Sequence, residues 1–161
     1  MATLVARNPR LFQAATTPKV VQRYAAKSTA WGAGQFLRIN TSGELVAVSN
    51  GATTGGISYQ AITDRASGDA AGLVWVIKIT PDMIFEMNLT SGTATTALIG
   101  QKKGVDVSGT TITVDPSASE EAVTIQNLGY IVNPAVYDSS DTLAVVYVKI
   151  QTDIIDADPA A

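Results

Sequence analysis

The side chains best suited to chemistry are two pairs of carboxylates, Asp82 with Glu86 and Asp138 with Asp141. Two carboxylates flanking a glycosidic bond can act as the acid and the base of a glycosidase. Such an enzyme also needs a cleft lined by aromatic side chains, and aromatic residues make up only 6% of this chain. The segment DSSD at 138–141 is instead typical of a loop with Asx-type turns. The pattern therefore favours loop structure over catalysis.

The same DSSD segment offers carboxylate and carbonyl oxygens, which are the ligands that calcium prefers. It lacks the D-x-[DN]-x-[DN]-G pattern of a calcium-binding loop, so we expect these carboxylates to be solvated. The sequence predicts no metal ion and no cofactor.

The composition removes most other catalytic chemistry. The chain has no cysteine and no histidine, which excludes thiol nucleophiles and disulfides and removes the commonest general base at neutral pH. The sequence also lacks a phosphate loop of the G-x-x-x-x-G-K-[ST] type, a helix-opening G-x-G-x-x-G and a G-x-S-x-G elbow. We therefore predict that the protein is not an enzyme.

Basic residues are concentrated at the start of the chain. Residues 1–40 contain six basic and no acidic residues, whereas the remaining residues contain five basic and 14 acidic ones. One hypothesis is a basic arm that reaches onto an acidic surface of a partner or of a neighbouring copy; the alternative is that the segment folds back onto its own acidic body. We favour an arm that contacts protein. Nucleic acid is not an expected partner, because the basic residues are spaced singly and the isoelectric point is about 4.8.

Only 16% of the residues are charged, against about 25% in an average soluble protein. Two interpretations remain open: a partner covers much of the surface, or the surface is rich in uncharged serine and threonine. No apolar run reaches the ~18–20 residues of a membrane helix, and the first residues do not form a signal peptide. We expect neither a membrane partner nor passage across a membrane.

The elements that must position these side chains are strands. Hairpins are predicted over residues 35–49, around Gly43, and over residues 104–115, around Ser108-Gly109. Residues 57–62 and 83–87 form further strands, and residues 73–79, apolar on both faces, are predicted to be central. Residues 142–150 fit a central buried strand better than an exposed edge. Ser117 and Glu120 have the spacing of a helix capping box, but the β-branched run that follows can equally be a strand.

These signals predict an all-β fold, with a small β-barrel or β-tulip-like body or a sandwich. Pro9 and Pro18 interrupt the first segment. We divide the chain into an extended basic N-terminal arm at 1–30, a β domain at 31–152 and an acidic C-terminal tail at 153–161. Trp31 and Trp75 are expected to pack in the core or at an interface.

The order of these elements and the placement of the glycines resemble the small capsid decoration, or cement, proteins of tailed bacteriophages, over about residues 31–150. The segments that carry the resemblance are AGQFL (33–37), SGELV (42–46), GGI (55–57), AITD (61–64), VWV (74–76), PDMIFE (81–86), IG (99–100), VD (114–115), VTIQNLG (123–129) and LAVVYV (143–148). The resemblance implies a β-barrel or β-tulip body that binds the outer surface of the expanded capsid, usually as a trimer at threefold and quasi-threefold positions, and cements adjacent capsomers.

This resemblance implies the major capsid protein and further copies of the chain as partners, and a place in the virion after synthesis in the host cytoplasm. It implies no catalytic residues. We predict that basic residues of the arm contact the capsid or a neighbouring copy: Arg7, Arg10, Lys19, Arg23 and Lys27. The alternatives are another virion component (a head fibre base, a neck protein or a tail-tube protein) and a carbohydrate-binding module, which needs exposed aromatic side chains.

Overall fold

The structure is a computed structural model that describes residues 4–51 and 56–156. Of these residues, 41% are in strands or bridges and 5% in helix, with a closed five-stranded barrel and a separate sheet; the predicted all-β class is confirmed. The elements of the described residues are β1 (Arg10–Gln13), β2 (Val20–Ala25), β3 (Phe36–Ile39), β4 (Leu45–Ala47), β5 (Tyr59–Ala61), β6 (Gly72–Lys78), β7 (Ile84–Asn88), a single 3-10 turn (Thr96–Leu98), β8 (Lys102–Ser108), β9 (Thr111–Asp115), β10 (Val123–Leu128), α1 (Gly129–Val132) and β11 (Val145–Ile150).

The barrel has the strand order β2-β4-β3-β5-β6 and closes between β6 and β2. These last two strands are antiparallel over six residue pairs, from Val20 opposite Ile77 to Ala25 opposite Gly72. Side chains alternate across a strand, so one side chain in two points into the barrel. The buried interior consists of Ala25, Trp31, Leu37, Leu45, Tyr59, Ala61 and Val76.

The second sheet has the order β1-β7-β11-β10-β8-β9. Strand β11 lies in its middle, between β7 and β10, and five of its six residues are buried, as predicted for residues 142–150. The sheet curls, because Leu89 at the end of β7 forms a parallel bridge with Val114 of the edge strand β9. Together with β10 and β8, this curl encloses most of the larger hydrophobic core.

The two sheets share that core. Phe36 of the barrel strand β3 meets Phe85 of β7 edge to face, with ring centroids 5.0 Å apart. Both rings are fully buried, and Val48, Ile57 and Ile79 enter the same cluster from segments next to the barrel. Burial of this apolar surface is the main term that holds the two sheets together.

The two predicted hairpins are confirmed as β3–β4 and β8–β9. In the first turn Gly43 has a φ of +79°, a conformation that glycine adopts without the steric cost of a Cβ atom. The Asn40 side-chain oxygen accepts the backbone N–H groups of Ser42 and Glu44 at 2.9 Å. The Asn40 side chain therefore supplies the acceptor for two backbone N–H groups of the turn.

The capping-box interpretation of Ser117 and Glu120 is wrong. The Ser117 N–H and hydroxyl both donate to Asp115 Oδ1, at 2.9 and 2.7 Å, so the serine closes a turn after β9. The β-branched run beyond it forms strand β10, because Val123 and Ile125 are needed in the core. The short helix α1 follows only at Gly129–Val132.

Two strands lie within the segment that was predicted as a separate arm over residues 1–30. Strand β1 is paired with β7 in the second sheet, and β2 is a full member of the barrel. Asn8 joins both sheets, because its Nδ2 donates to the carbonyls of Ala33 and Thr110, at 3.1 and 2.8 Å. The described part of this segment is extended, as predicted, but it belongs to the body of the molecule.

The start of the predicted acidic tail also packs on the body. Ile154 is buried in the larger core, and its carbonyl accepts the Ile57 N–H at 3.0 Å. Asp156 forms an ion pair with Lys78. Residues 157–161, which complete the predicted tail, lie outside the described residues.

Candidate interaction surface

Two of the five predicted contact residues are paired within the chain. The Arg7 guanidinium donates to Glu86 Oε1 at 2.6 Å, and the Arg10 guanidinium donates to the same oxygen. The hydroxyls of Tyr137 and Tyr147 donate to Glu86 as well, at 2.7 and 3.1 Å. For Arg7 and Arg10, the structure thus has the arrangement in which the basic segment folds back onto its own acidic body.

Glu86 is ionised within this cluster. Burial alone would raise the pKa of Glu86, but hydrogen bonds from Arg10 and Tyr137, with the charge of Arg10, hold its pKa below the ordinary value. Burial and the neighbouring carboxylate raise the pKa of both Tyr137 and Tyr147, so both hydroxyls keep their protons and remain donors. The cluster attaches the N-terminal segment to β7 and β11.

Asp82 and Glu86 do not share one site. Asp82 accepts hydrogen bonds from the Thr80 hydroxyl at 2.5 Å and from the Ala15 N–H at 2.7 Å. The Thr80 and Ala15 hydrogen bonds lower the pKa of Asp82. Asp82 and Glu86 therefore accept hydrogen bonds from separate parts of the N-terminal segment, Asp82 from Ala15 and Glu86 from Arg7 and Arg10.

The DSSD segment is the predicted Asx-type loop. Asp138 Oδ1 accepts the Ser140 N–H at 2.8 Å and the Ser140 hydroxyl at 2.7 Å. These bonds lower the pKa of Asp138. Asp141 is buried and accepts the Asp138 N–H at 2.9 Å. Within the described ranges, no three acidic side chains lie close enough to hold a metal ion.

Strands β2 and β6 present an apolar face to solvent, which we call the β2–β6 face. It consists of Val20, Tyr24, Leu73 and Trp75, which are 52%, 48%, 64% and 57% exposed. Tyr24 lies opposite Leu73, and Trp75 lies opposite Gln22. These side chains alternate with Val21, Ala25, Val74 and Val76, which fill the barrel.

The apolar pattern of residues 73–79 predicts a central strand, and this is confirmed, but the strand is not buried on both faces. Strand β6 does have a neighbour on each side, β2 and β5. A five-stranded barrel has room inside for one set of alternating side chains, and the other set must point outward. The other sheet covers Ile77 but leaves Leu73 and Trp75 exposed. The sequence feature that indicates an exposed apolar face is the run of apolar residues at every position from 73 to 77, because a small barrel can bury only every second one.

The two tryptophans therefore have different roles. Trp31 is buried in the barrel, where its indole N–H donates to the Thr63 carbonyl at 3.1 Å and Arg65 lies 5.4 Å from its ring centroid. Trp75 is the large exposed aromatic side chain of the β2–β6 face. Core packing is the correct interpretation for Trp31, and it is wrong for Trp75, whose side chain is exposed.

Of the other three predicted contact residues, Lys19 and Lys27 flank the strand β2 that carries this face, and Arg23 lies on the opposite, barrel side of β2, across from Val74. Lys19 and Lys27 are exposed and stand just before and just after β2. Arg23 points to the mouth of the barrel, where its Nε donates to the Tyr59 hydroxyl at 2.9 Å. None of the four ion pairs between residues that the structure describes involves Lys19, Arg23 or Lys27. The charges of Lys19 and Lys27 are therefore free to meet acidic groups of a partner, whereas the Arg23 guanidinium is held by Tyr59, over whose ring it lies at 5.4 Å.

The arrangement can bind protein. Exposed apolar patches rimmed by polar groups mark interaction sites, and tryptophan and tyrosine are enriched among the residues that dominate binding energy. Basic residues at the rim direct an acidic partner to such a patch and fix its orientation. The sequence identified this border through Lys19 and Lys27, but it did not identify Val20, Tyr24 or Leu73.

Comparisons with protein-family models, with curated proteins and with solved structures find no match for this chain. Over residues 4–51 and 56–156, no helix has the length and apolar character needed to cross a membrane.

Proposed function

We propose that the protein is a structural component of a tailed-bacteriophage virion that decorates the outer surface of the capsid. The observation that carries the proposal is the exposed apolar β2–β6 face, bordered by the unpaired lysines Lys19 and Lys27. An apolar face of this kind gains free energy when a protein surface covers it. The resemblance of the sequence to decoration proteins supplies the class of partner, the major capsid protein.

Cementing requires only a modest binding energy from each copy. Many copies act on one shell, and several contacts within an oligomer engage together, so the effective affinity exceeds that of a single contact. A small face with one tryptophan, one tyrosine and a few basic residues suits this role. The buried Glu86 cluster and the shared core provide the rigid body that carries the face.

The experiment that tests the proposal is quantitative mass spectrometry of purified virions of the source phage. We expect comparable copy numbers of this chain and of the major capsid protein. A copy number that is a small fraction of the capsid protein would place the chain in the neck, tail or fibres. Absence from the particle would overturn a role in the virion.

Replacing Trp75 with threonine is expected to weaken binding to expanded capsids about tenfold or more, because exposed interface tryptophans commonly contribute at least ~1.4 kcal/mol. Threonine keeps the β-propensity of the strand, so the melting temperature should stay close to that of the wild type. Co-sedimentation of the protein with emptied, expanded capsids measures the change.

Val136→Thr provides the control for that experiment. Val136 is also an exposed apolar residue, but it lies in the turn after α1 and not on the β2–β6 face. Capsid binding of Val136→Thr should equal that of the wild type. Equal binding of all three proteins would remove the β2–β6 face from the proposal.

Exposed aromatic side chains also favour a second candidate, a carbohydrate-binding module. Trp75 and Tyr24 lie on one sheet face in solvent, and aromatic rings with one exposed side are the feature that such a module requires. Titration with soluble oligosaccharides, followed by tryptophan fluorescence, separates the candidates. A saturable signal that Trp75→Thr abolishes, without any binding to capsids, would favour the carbohydrate-binding module.

A further inference from the structure

A hollow lies on the outer side of the β8–β9 hairpin and shares no residue with the β2–β6 face; we call it the β8–β9 hollow. Its volume is about 350 Å³, at the lower end of the ~300–1,000 Å³ range of small-molecule sites. The lining consists mostly of hydroxyl-bearing side chains, with one carboxylate and one large apolar residue: Thr90, Asp106, Ser108, Thr111, Thr113 and Leu143.

The hairpin holds the side chains of the hollow in fixed positions. Asp106 lies opposite Thr113, and Ser108 lies opposite Thr111, within one uninterrupted antiparallel ladder. Thr113 is buried at the base of the hollow, and Ser108 is exposed at its rim. Side chains on paired strands are ordered before a ligand arrives, which reduces the entropy cost of binding.

The hydroxyl at the base of the hollow keeps free acceptor capacity. The hydroxyl oxygens of Thr90 and Thr113 are 2.7 Å apart, and the Thr90 hydroxyl donates to the Val114 carbonyl at 3.2 Å. A hydroxyl has one hydrogen to donate and two lone pairs that accept. Thr113 therefore donates to Thr90, and the Thr113 oxygen can accept a hydrogen bond from a ligand.

Three further polar side chains of the hollow are unused by the protein. Over residues 4–51 and 56–156, the side-chain hydrogen bonds of the hairpin and the ion pairs do not include Asp106, Ser108 or Thr111. The carboxylate accepts hydrogen bonds, whereas the two hydroxyls both donate and accept. Leu143 and Ala6 add an apolar side. A ligand of the hollow must satisfy both kinds of surface.

The chemistry of this lining selects one class of ligand. An anion would be repelled by the Asp106 carboxylate, and an apolar molecule would leave the carboxylate and the hydroxyls without partners. The acidic side chains of the described residues do not gather in the number that holds a metal ion. A neutral sugar carries hydroxyl groups that donate and accept, and its ring has C–H groups that pack on apolar side chains.

We infer that the β8–β9 hollow is a binding site for a neutral saccharide. The Asp106 carboxylate and the Thr113 oxygen accept from the sugar hydroxyls, the hydroxyls of Ser108 and Thr111 complete the hydrogen bonds at the rim, and the sugar ring packs on Leu143. The inference goes beyond the proposed function. On a virion, many copies of a weak saccharide site would hold the particle to polysaccharide at the host surface, because simultaneous contacts raise the effective affinity.

The test is two-dimensional NMR of the amide groups of the full chain, titrated with the methyl glycosides of glucose, galactose, mannose and N-acetylglucosamine. At least one glycoside should shift the amide signals of Asp106, Ser108 and Thr111 with a Kd of about 1 mM, the affinity expected of so small a ligand. If none of the four shifts these signals at about tenfold that concentration, the inference is wrong.

Two variants locate the bound glycoside. Asp106→Asn keeps the size of the side chain and removes its charge, and it should weaken binding at least about tenfold, because hydrogen bonds to a charged acceptor are the stronger ones. Thr111→Val keeps the shape of the strand and removes one hydroxyl, and it should weaken binding about two- to tenfold. Wild-type affinity in both variants would overturn the assignment to the hollow.

The matched controls change the same groups elsewhere. Asp153→Asn alters an exposed carboxylate, and Thr95→Val alters an exposed threonine whose side chain makes no cap hydrogen bond; both should bind the glycoside as the wild type does. Trp75→Thr should also bind it normally. Loss of binding in Trp75→Thr with normal binding in Asp106→Asn would place the sugar on the β2–β6 face and overturn the inference.

An organic cation is the alternative ligand of a hollow that contains a carboxylate, and n-butylammonium chloride is its probe. The cation should bind more weakly than the best glycoside, and glycoside binding should be the same in about 0.1 M and 1 M salt, because a neutral ligand is not screened. Tighter binding of n-butylammonium than of every glycoside would show that the hollow recognises positive charge, contrary to the inference.

Polysaccharide extracted from the surface of the host separates the two sources of the sugar. Displacement of the bound glycoside by this polysaccharide assigns the site to the cell surface, and binding of the glycoside without displacement assigns it to free sugars. A chain that binds glycosides but is absent from virions would overturn the capsid role alone. A chain that decorates the capsid but binds no glycoside would overturn the saccharide site alone.

Discussion

Replacing Glu86 with glutamine is expected to lower the free energy of unfolding by about 2–3 kcal/mol. The buried carboxylate accepts hydrogen bonds from two guanidinium groups and two tyrosine hydroxyls. Glutamine offers one acceptor oxygen, and its amide donors would face the donors of Arg7 and Arg10. The expected loss stays below that of a fully buried ion pair, because both arginines are about half exposed.

Urea denaturation measures this loss, and Glu121→Gln is the matched control. Glu121 pairs with Lys102 at 3.1 Å, and both side chains are at least half exposed. Its replacement should change the free energy of unfolding by less than about 0.5 kcal/mol, as for most surface pairs. Similar losses in the two variants would contradict the structural role of the Glu86 cluster.

The same variant predicts a pH dependence. The pKa of Glu86 is lower in the folded protein than its ordinary value of 4.5. A carboxyl group of this kind contributes stability above the unfolded pKa, and the contribution is lost as the pH falls through the folded pKa. Below pH 4.5 the wild type should therefore lose stability more steeply than Glu86→Gln. Parallel curves for the two proteins would be inconsistent with a depressed pKa.

Contacts of the N-terminal segment with a partner must be tested by point variants and not by deletion. A deletion of residues 1–28 removes strands β1 and β2, so it opens the barrel and removes the edge of the second sheet. Loss of capsid binding after such a deletion would report unfolding. Point variants at Lys19 and Lys27, which have no structural partner among the described ion pairs, test the contact without this complication.

Local sequence patterns were sufficient to predict the hairpins. The β3–β4 turn depends on Asn40 and Gly43, whose side-chain and backbone preferences act within five residues. The apolar run of β11 predicted a buried central strand, because β11 contributes Val146, Val148 and Ile150 to one core. In both cases the information lies in the segment itself, so the fold class could be recognised.

Long-range pairing was not predictable in the same way. Strand β1 pairs with β7 through Arg10 opposite Glu86, 76 positions away, and nothing in the residues near Arg10 identifies that partner. The predicted arm was wrong as a separate segment for this reason: two prolines and several singly spaced basic residues look the same in a free arm and in strands held by distant carboxylates. Two of the basic residues at the start of the chain, Arg7 and Arg10, form ion pairs with the distant Glu86 in the folded protein.

The candidate surface was predicted in part. The basic residues of its border stood out in the sequence because no acidic residue precedes Glu44. The apolar centre did not, because Leu73 and Trp75 belong to a strand that is apolar throughout, and sequence alone does not say which of its faces the rest of the molecule covers. In the structure, strand β6 belongs to a closed barrel of five strands, so the side chains that point away from the barrel interior are left exposed where the second sheet does not cover them.

Replacing Phe36 with alanine is expected to have the largest effect on stability, about 3–5 kcal/mol. The ring is fully buried in the shared core and meets Phe85 edge to face, so its removal leaves a cavity between barrel and sheet and deletes an aromatic contact. For a chain of this size the melting temperature should fall by about 10 °C. Differential scanning calorimetry measures both quantities.

Phe12→Ala is the control for that substitution, since Phe12 is half exposed and packs against Tyr147; its removal should lower the free energy of unfolding by about 1 kcal/mol.

The shared core further requires that barrel and sheet unfold together. Fluorescence of Trp31 in a Trp75→Phe background reports the barrel, and amide exchange in β11 reports the sheet. In Phe36→Ala both should be lost in one transition, because the cavity weakens the contact that each sheet needs to bury its apolar side. A barrel that melts while β11 stays protected would show that the two sheets are independent units, and the stability of the β2–β6 face would then depend on the barrel alone.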